Sequence, residues 1–221
     1  MMEQYKNPLY QVDIVVYKKY LDDGAADSLL DSILTGRSET KHTKHPLTTK
    51  AGQLLRLPST EFSRSPAPCF AVAPARSKPS KKRNKTIYGD IREYVITYRG
   101  KTIKTPVLPW TEVFAQVRDK IAETTGQNYN TGVIQIYNSG QVGIKPHKDK
   151  EMNAGSKISS ISLGQSRVMQ FERHGFEPID IVLDKGDMCI INYPTNNFWL
   201  HSIPTDDSAQ VRASLIFRQF G

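Results

Sequence analysis

From Val133 onward the chain is cut into short apolar segments separated at regular intervals by Gly, Asn, Asp and Pro, and this rhythm limits the fold more than any other feature. Strands are predicted at 133–138, 157–163, 167–172, 179–183, 187–192, 198–203 and 211–218. Short strands in such close succession argue for an all-β core of two layered sheets. Two helices precede them. Over 22–36, Ala26, Leu29, Leu30, Ile33 and Leu34 keep helical spacing, acids crowd the start and Gly36 can close the end. Trp110, Val113, Phe114, Val117 and Ile121 mark a second amphipathic helix, ended by Gly126, that should lie against the outside of a sheet. Residues 12–17 read as one further strand. The fold class that follows is α+β, mainly β.

A chain of 221 residues suffices for one domain with a sizeable core. Its N-terminal part, 1–36, is expected to pack a strand and a helix on that core. Residues 37–86 differ in kind: Ser, Thr, Pro and Lys dominate, and 76–85 carry six cations without an acid. This stretch reads as loop or linker. Lys+Arg 30 against Asp+Glu 22 gives a net charge of +8, which favours a polyanionic partner through phosphate contacts; a solvated linker or an import signal accounts for the basic run equally well. Cys69 and Cys189 fit neither a zinc spacing nor a disulfide scaffold, which suits a reducing, intracellular setting and does not separate nucleus from cytoplasm. No apolar run approaches the roughly 20 residues that cross a bilayer, and the start of the chain lacks the apolar core of a signal peptide. A monomer without a membrane partner is expected.

Chemistry concentrates in three places. His147 and Asp149 form an H-x-D step, and on extended chain such residues project to one face. His201 ends another apolar stretch that can run beside the first. Two imidazoles and one carboxylate leave three octahedral positions open, the arrangement of non-haem iron(II) oxygenases. An H-x-D step also occurs by chance. The carboxy terminus changes the balance: Arg212 and Arg218 interrupt an apolar strand six positions apart, hence on the same face. Charges inside a β-core need partners. A dicarboxylate such as 2-oxoglutarate would pair them through the bidentate fork of arginine, its keto acid end chelating the iron. Ion pairs with acids such as Asp149 or Asp187 are the competing explanation.

In order along the chain, Tyr88-Gly-Asp90, Thr125-Gly-Gln-Asn-Tyr-Asn130, Gln135-Ile-Tyr137, His147-Lys-Asp149-Lys-Glu151, Ile161-Ser-Leu-Gly164, Trp199-Leu-His201 and the Arg212 to Arg218 segment resemble the AlkB family, most of all its members that repair alkylated DNA and RNA bases. The similarity covers residues 83–221, and 12–36 more weakly. It implies a double-stranded β-helix, a jelly roll, in residues 87–221, with two supporting N-terminal helices and a nucleotide-recognition lid. Strand spacing alone equally allows a cupin or another jelly roll.

The resemblance also implies roles. His147, Asp149 and His201 match the iron ligands. Arg212 matches the arginine on the distal carboxylate of 2-oxoglutarate, and Arg218 the one near its C1 carboxylate and the metal-binding acid. Tyr137 fits a tyrosine that bonds the cosubstrate. Gln135 and Ser214 stand where the family often has Asn. Glu151 matches an acid beside the flipped base, and Tyr88 and Tyr98 flank a predicted hairpin, with Gly89 and Gly100 at its turns, in the position of the lid. Iron(II), 2-oxoglutarate and oxygen are thereby expected, with alkylated DNA or RNA as partner. The activity implied is oxidative dealkylation, the alkyl group leaving as an aldehyde and the cosubstrate as succinate and carbon dioxide. Hydroxylation or demethylation of a protein side chain is the alternative.

Overall fold

A computed structural model describes residues 1–35, 47–49, 53–55, 84–98, 100–149, 153–207 and 210–220. In chain order come β1 (Met2–Asn7), β2 (Val12–Tyr17), α1 (Asp23–Thr35), a small pair β3 (Leu47–Thr49) and β4 (Gln53–Leu55), β5 (Asn84–Gly89), and a hairpin of β6 (Glu93–Tyr98) and β7 (Lys101–Pro106). After α2 (Glu112–Thr125) the chain is nearly all strand: β8 (Thr131–Tyr137), β9 (Ile144–His147), β10 (Ile158–Gly164), β11 (Arg167–Glu172), β12 (Ile179–Leu183) and β13 (Met188–Ile191). One helical turn, α3 (Thr195–Phe198), then leads to β14 (Leu200–Ile203) and β15 (Arg212–Arg218).

The strands form two main antiparallel sheets, ordered β1-β2-β13-β10-β15-β8-β5 and β12-β11-β14-β9. Strand alternation divides the core in two. On the outer face of the larger sheet, Ala213, Leu215 and Phe217 of β15 and Ile161 and Leu163 of β10 pack against Leu29 of α1 and Phe114, Val117 and Ile121 of α2. Between the sheets, Ile14, Tyr137, Ile158, Phe171, Ile181 and Ile191 make the second cluster. Because odd positions of β15 face the helices, Arg212, Ser214 and Arg218 face the interior between the sheets.

Local chemistry fixes the supporting elements. Thr111 caps α2, its side chain accepting from the Phe114 N–H at 3.3 Å, and Gly126 ends the helix with φ 67°, a left-handed conformation that glycine adopts without strain. Gly132 lets α2 approach β8: a Cβ there would lie 2.7 Å from Phe114 and 2.8 Å from Trp110. Behind α1, the fully buried Asp187 accepts from the ammonium of Lys18, from the Lys19 N–H at 2.8 Å and from the Asp184 N–H at 2.9 Å.

Five differences from the sequence reading have physical causes. β1 was not expected, since none of its residues is buried and only its ladder to β2 makes it a strand. Residues 37–86 are not all loop: β3 pairs with β4, and β5 already starts at Asn84, where it bonds to β8. Leu34 stays 47% exposed, so the apolar face of α1 ends sooner than its spacing suggests. The segment 198–203 is strand only from Leu200, because Thr195 is locked to Asp13 and the chain turns helically before it extends. β9 closes at His147, so Asp149 projects from just beyond the strand.

Candidate metal centre and cosubstrate pocket

β9 and β14 run antiparallel with His147 opposite His201, which brings two imidazoles from distant segments side by side, ring centroids 4.3 Å apart. One ligand atom from each of His147, Asp149 and His201 falls within 4.8 Å of the others. The His147 Nδ1 lies 2.9 Å from the Lys145 carbonyl oxygen, so the neutral ring donates from Nδ1 and leaves its Nε2 lone pair for a cation. The His201 Nε2 stands 3.8 Å from the Asp149 Oδ2. Burial, helped by the neighbouring His147 and Arg218 and opposed by Asp149, pushes the His201 pKa down to about 4. Burial alone would raise Asp149, but the Arg218 guanidinium 2.9 Å away, with His201, His147 and Lys85, outweighs it and holds the carboxyl below its usual range. An ionised acid beside an unprotonated buried imidazole is the state a divalent cation binds.

Interior to the triad is a narrow cavity whose walls include Gln135, Tyr137, Ser160, Ser214 and Arg218. Arg212 lies outside this lining, against Tyr137 and Ser214 of its wall. Its guanidinium is fully buried, lies 5.2 Å from the centre of the Tyr137 ring, and donates from Nε to Ser162 Oγ at 3.1 Å and from Nη1 to Ser214 Oγ at 2.6 Å. Burial lowers its pKa, and no carboxylate among the described residues lies within ion-pair distance. Gln135 donates to the Tyr137 hydroxyl at 3.1 Å. The ion-pair explanation therefore holds for Arg218, which meets Asp149, and not for Arg212; Asp187 belongs to Lys18.

Iron and a keto dicarboxylate suit these side chains. Ser160 Oγ, Arg212 Nη2 and Arg218 Nε are buried without a hydrogen-bond partner, and leaving such groups unsatisfied costs about 1–3 kcal/mol each. A cation at the triad and a dicarboxylate spanning the cavity supply the missing partners. Ser214 accepts from Arg212 and so orients the guanidinium.

The residues expected to recognise a base are distributed differently. Tyr88 pairs opposite Gly132, and its ring packs edge-on against Phe114 with centroids 5.2 Å apart, on the helix side of the sheet. Glu151 and the side chain of Tyr98 lie outside the described residues. Tyr94 is the aromatic brought to the centre: 4% exposed, it packs on Phe220 and its hydroxyl stands 3.5 Å from Arg218 Nη1. The Lys85 ammonium lies 4.3 Å from the Tyr94 ring centre, reaching it from β5, where Lys85 pairs opposite Gln135. Tyr94 was not singled out from sequence, and Lys85 was read only as part of the basic run 76–85. Tyr94 was legible as an aromatic in the predicted hairpin; what the sequence lacked was the hairpin's docking.

A family model described as the 2OG-Fe(II) oxygenase superfamily matches residues 13–218. The chain belongs to that superfamily. This oxygenase is 33% identical over 149 residues to the DNA oxidative demethylase ALKBH2 of Bos taurus, covering 62% of the chain and 52% of the relative. The Mus musculus ALKBH2 is 34% identical over the same length, with 61% of the relative covered. The alpha-ketoglutarate-dependent dioxygenase alkB homolog 3 of Homo sapiens is 28% identical over 139 residues, 57% of the chain and 48% of the relative. The chain thus spans about half the length of these relatives. Among solved structures, that of OsALKBH1 superposes with a TM-score of 0.58 at 14% identity over 98% of the chain and 100% of the neighbour, a likeness of fold. The AlkB resemblance and the jelly-roll architecture read from the motifs are borne out.

Proposed function

We propose that this oxygenase uses iron(II) and 2-oxoglutarate to remove alkyl groups from damaged or modified nucleobases in DNA or RNA. The observation that carries the oxygenase chemistry is Arg212, a buried guanidinium with no carboxylate partner among the described residues, set against Tyr137 and Ser214 in the wall of a cavity that His147 and His201 also line. For the substrate class the support is the curated relatives named DNA oxidative demethylase and the net charge of +8, which suits a phosphate backbone. Under this reading His147, Asp149 and His201 hold the iron. Arg212 grips the distal carboxylate, with Ser162 and Ser214 fixing its fork. Gln135 donates to the Tyr137 oxygen and thereby frees the phenolic proton for the cosubstrate. Arg218 keeps Asp149 ionised, and Tyr94 shields the pair from water.

When bound, iron, 2-oxoglutarate and oxygen supply the oxidation of an N-alkyl carbon, so that an aldehyde leaves the base and succinate and carbon dioxide leave the cosubstrate. Flipping the base out of its stack brings the alkyl group to the metal, at a cost of a few kcal/mol that is least for a damaged or single-stranded site. The test is mass spectrometry of mixed methylated DNA and RNA oligomers after incubation with the iron-loaded chain, beside a methylated peptide pool. Demethylated oligomers with matching succinate are expected. Succinate formed with the peptides and not with the oligomers would overturn the nucleobase reading in favour of a protein side-chain oxygenase.

A further inference from the structure

The loop that carries Asp149 receives unusual support. β9 meets β14 only at His147 with His201 and at Ile144 with Ile203, with an irregularity between, and the ladder stops before Asp149. The amide of Asn196 takes over at that point. Its Oδ1 accepts from the Asp149 N–H at 3.1 Å and its Nδ2 donates to the Asp149 carbonyl oxygen at 2.7 Å, so one side chain satisfies both backbone groups of the acid. Lys148 adds a bond from its ammonium to the Asn197 carbonyl oxygen at 2.6 Å.

The turn that presents Asn196 is itself fixed at both ends. Thr195, fully buried, accepts from the Asp13 N–H at 2.7 Å and donates to the Asp13 carbonyl oxygen at 2.9 Å. Trp199, 1% exposed, donates from its ring to the Tyr10 carbonyl oxygen at 2.9 Å. α3 is thus a rigid clasp anchored on β2, one hand on the Asp149 loop and the other leading directly into His201. We infer that Asn196 is a positioning residue for the metal centre: it replaces the missing rung of the β9–β14 ladder and sets the Asp149 carboxylate against the two imidazoles before a cation arrives. The inference rests on the metal-centre reading of the triad. A purely structural latch is the competing account, and the chain has one of the same form, since Asn130 bonds both the N–H and the carbonyl oxygen of Phe220.

Titration of the metal-free full chain with Co(II), read by its visible absorption, separates these accounts. Wild type should bind one equivalent and His147→Ala none; a wild type that binds no Co(II) would overturn the metal centre, and this role with it. Given that binding, Asn196→Ala should weaken Co(II) affinity on the order of 10- to 100-fold, as loss of outer partners of metal ligands does, and should shift the absorption bands. Asn196→Asp, which keeps the acceptor for the Asp149 N–H but not the donor to its carbonyl, should recover only part of the affinity. Asn130→Ala, the control latch, should bind Co(II) like wild type. If Asn196→Ala fails to fold, Asn196→Asp alone carries the comparison. Wild-type Co(II) affinity and spectrum in a folded Asn196 variant, with only its thermal midpoint lowered, would reduce the clasp to a structural latch and overturn the inference.

Discussion

Replacing Arg212 should uncouple 2-oxoglutarate binding from metal binding. The side chain is fully buried, two of its nitrogens are held by Ser162 and Ser214, and Nη2 has no partner. A charge-assisted hydrogen bond to the cosubstrate is worth about 1.5–3 kcal/mol, so Arg212→Ala should weaken 2-oxoglutarate about tenfold to a hundredfold. Iron binding should stay near wild type, because the triad stands on β9, β14 and the segment just after β9, and the described residues show no contact from Arg212 to it. Arg212→Lys restores the charge without the planar fork, and should recover part of the loss. The variants lose packing and orphan two serines, so the measurement belongs well below their unfolding temperatures. The assay is the absorbance change on adding 2-oxoglutarate to anaerobic, iron-loaded protein, wild type beside both variants. Equal affinity in all three would show that Arg212 is a packing residue and remove the principal reason for assigning this cosubstrate from the structure.

His147→Ala should abolish Fe(II) binding with little change in thermal unfolding, since His147 is half-buried and its ring makes one bond, to Lys145; Asp149→Ala should lose both iron and stability, because it strands the buried Arg218. Unchanged iron titration in either would refute the ligand set. Burial works against the Lys18 charge, but Asp187 and Asp184 outweigh it and raise its pKa, so its contribution is full below the ordinary lysine value and fades as pH rises through the raised one. Asp184, held down by Lys18 and Ser166 against burial, contributes above the ordinary carboxylate value and loses its part as pH falls through the lowered one. Lys18→Met should therefore cost about 3 kcal/mol at neutral pH and flatten stability at both extremes, and urea midpoints that track wild type in parallel across pH would contradict this. Neutralising Lys81, Lys82, Arg83 and Lys85 together should lower oligonucleotide affinity and flatten its salt dependence by about 0.7 to 0.9 per lost phosphate contact; an unchanged slope returns the stretch to linker.

The fold was legible where burial imposes a period. Strands 167–172 and 179–183 match β11 and β12 to the residue, because inward and outward positions alternate along them, and α2 ends at Gly126 as its composition announces, though it begins only at Glu112, after Trp110. Where order comes from hydrogen bonding alone, the sequence is silent. β1 buries no side chain, and α3 forms because Thr195 finds Asp13, a residue 182 positions away. Asn196 was missed for the same reason: an amide among TNNF carries no pattern, and its value lies wholly in a neighbour supplied by the fold.

The facing of the β15 arginines was legible for a reason that fails for Tyr88. Arg212, Ser214 and Arg218 lie an even number of positions apart on one strand, so they share a face whichever strand pairs with β15 and in whatever register. The direction of Tyr88 depends on how β5 joins the sheet. Opposite Gly132 it turns toward α2, where Phe114 and the preceding Trp110 fill the space that the glycine leaves, and a slip of one residue would have turned it to the interior instead. The observed register sends Lys85 and Ile87 to the triad's side, where the aromatic is Tyr94, which arrives from the hairpin. The shared face of the two arginines is thus encoded within one strand, whereas the facing of Tyr88 and the place of Tyr94 depend on elements that must first dock.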